Sequence, residues 1–342
     1  MGITSRIDRI TNVVERKAIL PAPKSVKVEL SGRCNYRCGF CALRTRTVQP
    51  KQDMEVSFFR RIADEMRQAG VEELGLFYIG ESFTNPTLLV DYIAYAKMIA
   101  EFPYVFLTTN GSLATYERVR ACMEAGLDSL KFSINAATLE QFEKIMGVKA
   151  HLFERSLENL QDAWKARERG GYKCGLYASS IMYDGQQQKD MEQLLKNRIL
   201  PWVDEHYWLP LYSMGSFATQ REQELGYRPI AGNQGRIGAL RPPLPCWSVF
   251  TEAHITHDGK LSACCFDANG KWIATVLVGA LHVHFEYARR GSLAWRFFAG
   301  RGWPWWGRGT MGVCFALRPF YVAFSHNERP EDRTRRLLRD VA

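Results

Sequence analysis

Short apolar segments alternate six times with segments of helical period between residues 25 and 211, and this alternation constrains the fold more than any other feature. The first apolar segment runs from Ser25 to Leu30 and the last from His206 to Leu211. Strands that alternate with helices in this way predict βα units and a parallel sheet. We therefore expect an α/β fold in which ligand-binding residues lie at the carboxyl ends of the strands.

The loop after the first predicted strand contains three cysteines, Cys34, Cys38 and Cys41, with Phe40 just before the last. This C-x3-C-x2-C spacing can bring three thiolates to one corner of an iron–sulfur cube, and such clusters usually have four cysteine ligands. Three ligands leave one iron open, as a reactive site requires. The alternatives are a zinc knuckle, which needs paired C-x2-C units, and buried thiols. Disulfides are not expected in a chain without a secretory signal.

This motif resembles the signature of the radical SAM superfamily, including the aromatic residue at Phe40. The resemblance implies a partial (β/α)6 barrel with parallel strands over residues 24–212. It also implies a [4Fe-4S] cluster whose open iron is chelated by S-adenosylmethionine (SAM), with Phe40 packed near the adenine. In that family an electron donor such as flavodoxin or ferredoxin reduces the cluster. SAM is then cleaved, and the 5′-deoxyadenosyl radical removes a hydrogen atom from the substrate.

Three further segments resemble parts of the SAM site in that family. Gly80 and Glu81 stand where the family has Gly-Gly-Glu, with Ile79 in place of the first glycine. The Glu81 carboxylate or the adjacent carbonyls could accept hydrogen bonds from the SAM ammonium. Asn110 lies in a Thr-Asn-Gly turn like that of the family, although such a turn needs no function. Ser133 resembles the residue that binds the SAM ribose or carboxylate, and it could equally cap the next helix.

The second half of the chain begins with residues 213–245, whose glycines and prolines predict a linker. Residues 246–271 combine Cys246, an Asp-Gly pair typical of a hairpin, and Cys264. This combination resembles the start of a SPASM or twitch domain, the extension that holds auxiliary iron–sulfur clusters in one radical SAM branch. The resemblance makes Cys246 and Cys264 candidate ligands of an auxiliary cluster, with a zinc site or free thiols as alternatives.

Residues 272–342 differ in composition from the rest of the chain. They contain 11 arginines, no lysine and five of the nine tryptophans. A complete auxiliary cluster would need a further C-x2-C pair, but only Cys314 follows Cys265. We interpret this tail as a small irregular extension that is frame-shifted or disordered. The alternative is an interaction segment that uses arginine and tryptophan for charge and base stacking.

Charge and hydropathy exclude some classes of function. The tail has 11 arginines against 5 acidic residues, a net charge of +6, so only +3 of the total +9 lies in the other 271 residues. This distribution argues against a nucleic-acid partner. No apolar run of about 18 residues predicts a membrane span. Residues 1–23 predict an amphipathic N-terminal helix without the apolar core of a signal peptide, so we expect a cytoplasmic protein.

The sequence thus predicts a radical SAM enzyme, and the SPASM-like segment favours a peptide or protein substrate by resemblance alone. One alternative is a dehydrogenase or epimerase that acts on a small molecule, a sugar or cyclitol. Another is an inactive protein that binds SAM or a cluster and has a damaged C-terminus. The third is a metal-binding nucleic-acid module, which only the tail supports. No residue in the sequence identifies a catalytic acid or base.

Overall fold

A computed structural model describes residues 2–12, 19–20, 22–41, 43, 48–183, 185–209, 252–262, 273–276, 281–285, 314–315 and 320–324. The predicted linker, Cys246 and Cys264 lie outside the described residues. No helix among the described residues combines the length and the hydropathy of a membrane-spanning segment.

Seven α-helices and thirteen strands are present in the described residues. The helices are α1 (Ile3–Asn12), α2 (Val56–Gln68), α3 (Pro86–Ala94), α4 (Tyr116–Glu124), α5 (Leu139–Met146), α6 (His151–Gly170) and α7 (Gly185–Leu194). The strands are β1 (Ile19–Leu20), β2 (Ser25–Val28), β3 (Glu73–Gly75), β4 (Tyr104–Thr109), β5 (Ser129–Ser133), β6 (Gly175–Ile181), β7 (Glu205–Leu209), β8 (Glu252–Ile255), β9 (Lys260–Ser262), β10 (Ile273–Val276), β11 (Leu281–Phe285), β12 (Cys314–Phe315) and β13 (Phe320–Phe324). One-turn π-helices at Tyr95–Ile99 and Leu195–Ile199 follow α3 and α7, and 3-10 turns lie at Ser82–Thr84 and Leu200–Trp202.

The main sheet contains a run of parallel strands in the order β8-β2-β3-β4-β5-β6-β7. The remaining strands β9, β10, β11 and β13 extend the sheet beyond β8, and the described strands do not close it into a barrel. The predicted α/β fold with a partial parallel barrel is therefore confirmed. The predicted hairpin forms as β8 and β9, but β8 also pairs with β2 and so belongs to the core sheet.

The sheet has one apolar face and one mixed face, because successive strand residues point to opposite sides. In β5, Leu130 and Phe132 join the main hydrophobic core. Lys131 lies on the other face, where its ammonium is 5.7 Å from the centre of the Tyr207 ring. Helix α1 packs on this mixed face, since Ile3 forms a small cluster there with two tyrosines from β6 and β7.

The predicted N-terminal helix is present over Ile3–Asn12, but it does not extend to residue 23, because Ile19–Leu20 form β1. Its Arg6 forms a buried ion pair with Glu73 at 2.5 Å. The same guanidinium lies 4.7 Å from the ring centre of Tyr104. Glu73 and Tyr104 are the first residues of β3 and β4, so α1 covers the amino-terminal ends of these strands.

The apolar run at residues 74–79 predicts a buried strand, but β3 ends at Gly75. The Leu76 N–H still donates to the Phe106 carbonyl at 2.9 Å. The N–H groups of Ile79 and Gly80 donate instead to the Glu29 carboxylate, at 3.3 Å and 3.0 Å. The apolar run predicted a longer strand, but these side-chain hydrogen bonds take the place of sheet pairing.

Candidate functional site

The three motif cysteines lie in the loop that follows β2, at the carboxyl edge of the parallel strands. Cys34, Cys38 and Cys41 are partly buried and free of disulfides. The Cys41 N–H donates to the Cys38 carbonyl at 2.9 Å, which closes a tight turn between these two residues. The Gln49 amide holds the start of the loop, because it accepts from the Cys34 N–H at 3.3 Å and donates to the Cys34 carbonyl at 3.0 Å.

The carboxyl end of α5 supports the middle of this cysteine loop. The Arg37 N–H donates to the Met146 carbonyl at 2.9 Å. The Gly39 N–H donates to the Ile145 carbonyl at 2.6 Å. The last carbonyls of a helix have no partners within the helix, and here the N–H groups of the cysteine loop are their partners. Gly147 ends the helix with a φ of 64°, and a Cβ there would lie 2.9 Å from the Arg37 carbonyl oxygen.

The electrostatics of the loop favour a cationic group. Burial raises the pKa of Cys34 to about 12 and raises the pKa of Cys38 well above its ordinary value. Repulsion from Glu81 and from Cys41 contributes to both of these shifts. Without a cation these thiols would be protonated at neutral pH, whereas a metal centre deprotonates the thiols that it binds.

Among the described residues, no three His, Cys, Asp or Glu side chains converge on a single metal ion. An iron–sulfur cubane does not need that convergence, because its cysteine ligands bind different iron atoms. The thiolate-forming side chains of Cys34, Cys38 and Cys41 are the ligand type that such clusters use. The donor set in this loop therefore fits a [4Fe-4S] cluster with one iron left without a cysteine from the loop.

Gly80 packs directly against the backbone that leads into the cysteine loop. A Cβ on Gly80 would overlap the Ser31 carbonyl oxygen and lie 2.8 Å from the Arg33 carbonyl oxygen. The N–H of the next residue, Glu81, donates to that Arg33 carbonyl at 2.7 Å. The segment predicted to contact SAM and the loop predicted to hold the cluster are thus in direct backbone contact.

The carboxylate of Glu81 is buried and is bound by three donors from the protein. Its Oε1 accepts from the Thr109 hydroxyl at 2.8 Å and from the Phe83 N–H at 3.2 Å. Its Oε2 accepts from the Asn110 N–H at 2.8 Å. Burial raises the pKa of Glu81 despite these hydrogen bonds. A carboxylate has about four acceptor positions, and here two of them hold the end of β4 while a third caps the turn at Ser82–Thr84.

Asn110 connects this carboxylate to the cysteine loop. Its Nδ2 donates to the Asn35 Oδ1 at 2.9 Å, and Asn35 directly follows Cys34. The next residue, Gly111, has the positive φ expected of the Thr-Asn-Gly turn, 85°. The structure therefore brings Gly80, Asn110 and the cysteines together around Glu81, as their positions after strands predicted.

The positions of Ser133 and Phe40 are compatible with the predicted SAM contacts, which stay predictions. Ser133 ends β5 on the mixed face of the sheet, in register with Ser179 of β6. Ser179 Oγ is buried and has no hydrogen-bond partner in the part of the chain that the structure describes. Phe40 is half-buried and packs against the edge of the main core. The proposed auxiliary ligands Cys246 and Cys264 lie outside the described residues.

Two residues that the sequence interpretation missed border this site. Glu29 follows β2, and its carboxylate accepts from the Gly80 N–H at 3.0 Å and from His257 Nδ1 at 2.9 Å. His257 lies in the turn between β8 and β9. The signal for Glu29 was its position as an acidic residue within an otherwise strand-like run. No local pattern marked His257.

Comparison with known proteins agrees with the geometry of this site. Residues 28–197 match the family model of the Radical SAM superfamily. The chain belongs to the radical SAM superfamily. That family implies a [4Fe-4S] cluster and SAM, which is the pair of cofactors that the cysteine loop predicts. The family match ends before residues 246–271, so their resemblance to a SPASM or twitch domain stays a prediction.

Named relatives in this superfamily are enzymes with different substrates. A GTP 3′,8-cyclase from Synechococcus elongatus is 22% identical over 271 residues, which are 70% of this chain and 80% of that protein. A PqqA peptide cyclase from Methylobacterium nodulans is 28% identical over 131 residues, which are 38% of this chain and 33% of that protein. The radical SAM chain therefore spans most of the first relative but shares only a third of the length of the second.

A solved structure shares the fold of this radical SAM chain. Streptococcus suis SuiB bound to the precursor peptide SuiA has a TM-score of 0.52 at 15% identity, and the match covers 77% of this chain and 62% of SuiB. This likeness shows a common fold. It agrees with the open parallel sheet described above.

We expect Glu81→Gln to lower the stability of the protein, because it disrupts the hydrogen bonds at the candidate cofactor site. The variant amide presents an N–H2 group to one of the three donors that Glu81 now binds, so one buried hydrogen bond is lost. The expected cost is about 1–3 kcal/mol in the free energy of unfolding. Urea unfolding measures this cost, and the exposed Glu140→Gln is the matched control. Equal stability of the two variants would contradict the assigned hydrogen bonds.

We expect the protein to lose stability as the pH falls from about 6.5 towards 4. Burial lowers the pKa of His206 to about 4 and of His254 to about 3. The unfolded chain therefore binds protons in this range that the folded protein does not. From pH 7 to pH 5 the nearly fully buried His254 alone should lower the free energy of unfolding by roughly 2 kcal/mol, and the more exposed His206 by less.

Urea unfolding at the two pH values measures this dependence. His254→Gln removes the larger of the two contributions, so its stability should change less with pH than that of the wild type. An equal change in the variant and the wild type would contradict the burial of a neutral His254.

Proposed function

We propose that this radical SAM chain cleaves SAM reductively at a [4Fe-4S] cluster bound by Cys34, Cys38 and Cys41, and removes a hydrogen atom from a peptide or protein substrate. The observation that carries this proposal is the backbone contact between the cysteine loop and Gly80. This contact places the candidate cluster ligands next to the segment that resembles the SAM-binding motif.

The residues in and around the cysteine loop would hold the cofactors and fix the strand ends beside them. The three cysteines would each bind one iron and leave the fourth for SAM. Glu81 and Asn110 would keep the carboxyl ends of β3 and β4 fixed against the cysteine loop, through the hydrogen bonds described above. When bound, the reduced cluster supplies the electron that splits SAM into methionine and a 5′-deoxyadenosyl radical. Phe40 and Ser133 are the proposed contacts of the SAM adenine and ribose.

Two relatives favour a peptide substrate. One is a PqqA peptide cyclase, and the other, SuiB, is bound to the precursor peptide SuiA. The GTP 3′,8-cyclase covers more of this chain and supports a nucleotide as the second candidate. In either case an external electron donor such as flavodoxin or ferredoxin would reduce the cluster.

The substrate class can be tested with the reconstituted protein, SAM and dithionite under anaerobic conditions. The probes are GTP and a defined mixture of synthetic peptides, and the readout is 5′-deoxyadenosine relative to a reaction without probe. Stimulation by peptides and not by GTP is the expected result. Stimulation by GTP alone would replace the peptide with a nucleotide. A protein that holds iron but yields no 5′-deoxyadenosine in any arm would contradict the proposed function.

A further inference from the structure

Glu29 lies between the segment at Gly80 and the hairpin formed by β8 and β9. It is buried, with 4% of its surface exposed. Its Oε1 accepts from the N–H groups of Ile79 and Gly80, at 3.3 Å and 3.0 Å. Its Oε2 accepts from the His257 N–H at 3.3 Å and from His257 Nδ1 at 2.9 Å. A carboxylate has about four acceptor positions, so Glu29 is saturated by two donors from each side.

The hairpin of β8 and β9 is held in place against β2 and the start of the cysteine loop. The Glu29 N–H donates to the Ile255 carbonyl at 2.8 Å, which continues the pairing of β2 with β8. The His257 ring also packs on the start of the cysteine loop, because a Cβ on Gly32 would lie 2.6 Å from the ring Cε1. The turn is closed by the Thr256 N–H, which donates to the Lys260 carbonyl at 2.8 Å.

These contacts set the direction of two peptide groups. In a trans peptide the N–H and the C=O point to opposite sides. Because Glu29 binds the N–H groups of Ile79 and Gly80, the carbonyls of the same peptide units, those of Tyr78 and Ile79, point away from Glu29. Backbone carbonyls are acceptors that an ammonium group can bind. The two hydrogen bonds from these N–H groups therefore fix the direction of two acceptors beside the cysteine loop, while the two from His257 hold the Glu29 carboxylate itself.

We propose that His257 is a positioning residue that acts through Glu29 to turn the carbonyls of Tyr78 and Ile79 towards the SAM ammonium. This inference rests on the proposed function. His257 lies outside residues 28–197, which match the radical SAM family model. The hairpin after the core domain is thus a part of the cofactor site and does more than cover an edge of the sheet.

The test compares His257→Ala with His257→Asn, which keeps a side-chain N–H donor, and with Lys260→Ala, a control from the same hairpin. The first readout is hydrogen exchange of the amides at residues 79–80, measured by mass spectrometry without SAM. The second is the SAM dissociation constant of the reconstituted protein, from equilibrium dialysis. We expect His257→Ala to speed exchange and to weaken SAM binding by about tenfold each, at unchanged iron content. His257→Asn should restore most of both, and Lys260→Ala should match the wild type.

Unchanged exchange in His257→Ala would overturn the inference, as would weaker SAM binding without faster exchange. If His257→Ala does not fold, Glu29→Gln replaces it, because this variant keeps the volume and should also speed exchange at residues 79–80. Failure of the proposed function is a different outcome, because the wild-type protein would then bind no SAM. Failure of the inference is equal exchange in the wild type and the variant.

Discussion

Cys38→Ala is expected to hold less than about one tenth of the iron of the wild type after reconstitution with iron and sulfide. The reason is that only two cysteines would remain in the loop, and no other cysteine among the described residues lies in it. Cys34→Ala and Cys41→Ala should give the same result. Iron and sulfide content and the visible absorbance of the cluster measure the effect.

Cys122→Ala is the matched control for these three variants. Cys122 is buried in the apolar core on α4, and burial raises its pKa to about 12. The variant should bind as much iron as the wild type, because Cys122 has no part in the cysteine loop. Its only expected cost is about 1 kcal/mol of stability from the lost packing. Wild-type iron content in Cys38→Ala would contradict the assignment of the cluster ligands.

Gly80→Ala is expected to lower the free energy of unfolding by about 3 kcal/mol and to weaken SAM binding by at least about tenfold. The added Cβ would overlap the Ser31 carbonyl oxygen, so the backbone on one side of the contact must move. Backbone cannot give way as the end of a flexible side chain can. Urea unfolding measures the stability, and equilibrium dialysis of the reconstituted protein measures the affinity for SAM.

Gly70→Ala is the control that distinguishes the steric overlap at Gly80 from the backbone cost of replacing a glycine by alanine. Gly70 has a φ of 91°, but nothing lies within 4 Å of a Cβ placed on it. Its replacement should cost about 1 kcal/mol through the unfavourable φ and leave SAM affinity unchanged. If Gly80→Ala is no more harmful than Gly70→Ala, the close contact at Gly80 is not required.

The elements with clear local signals were predicted well from the sequence. Residues 129–133 predict a strand and residues 139–146 predict a helix, and the structure has β5 and α5 with these bounds, because each pattern is flanked by turn residues. The cysteine loop and the Thr-Asn-Gly turn lie at the carboxyl edge of the sheet, as their positions after strands required. Parallel strands place these ends at one edge of the sheet, and the parallel arrangement follows from the alternation of strands and helices.

Contacts between distant parts of the chain could not be predicted in the same way. Glu29 and His257 are 228 residues apart, and no periodicity in either segment specifies that they meet. The same holds for β8, which the Asp-Gly signal placed in a hairpin without indicating its pairing with β2. The amides of Ile79 and Gly80 at the end of the same apolar run likewise bind the carboxylate of Glu29, about 50 residues away in the sequence, which no local pattern indicates.

The most direct test of the proposed chemistry is the amount of 5′-deoxyadenosine that the reconstituted protein forms from SAM and dithionite without any substrate. We predict that the wild type forms it and that Cys38→Ala does not. The iron content of each sample is measured beside the product, so that loss of the cluster and loss of chemistry are distinguished. A wild-type protein that holds its cluster but forms no more 5′-deoxyadenosine than Cys38→Ala would contradict the account.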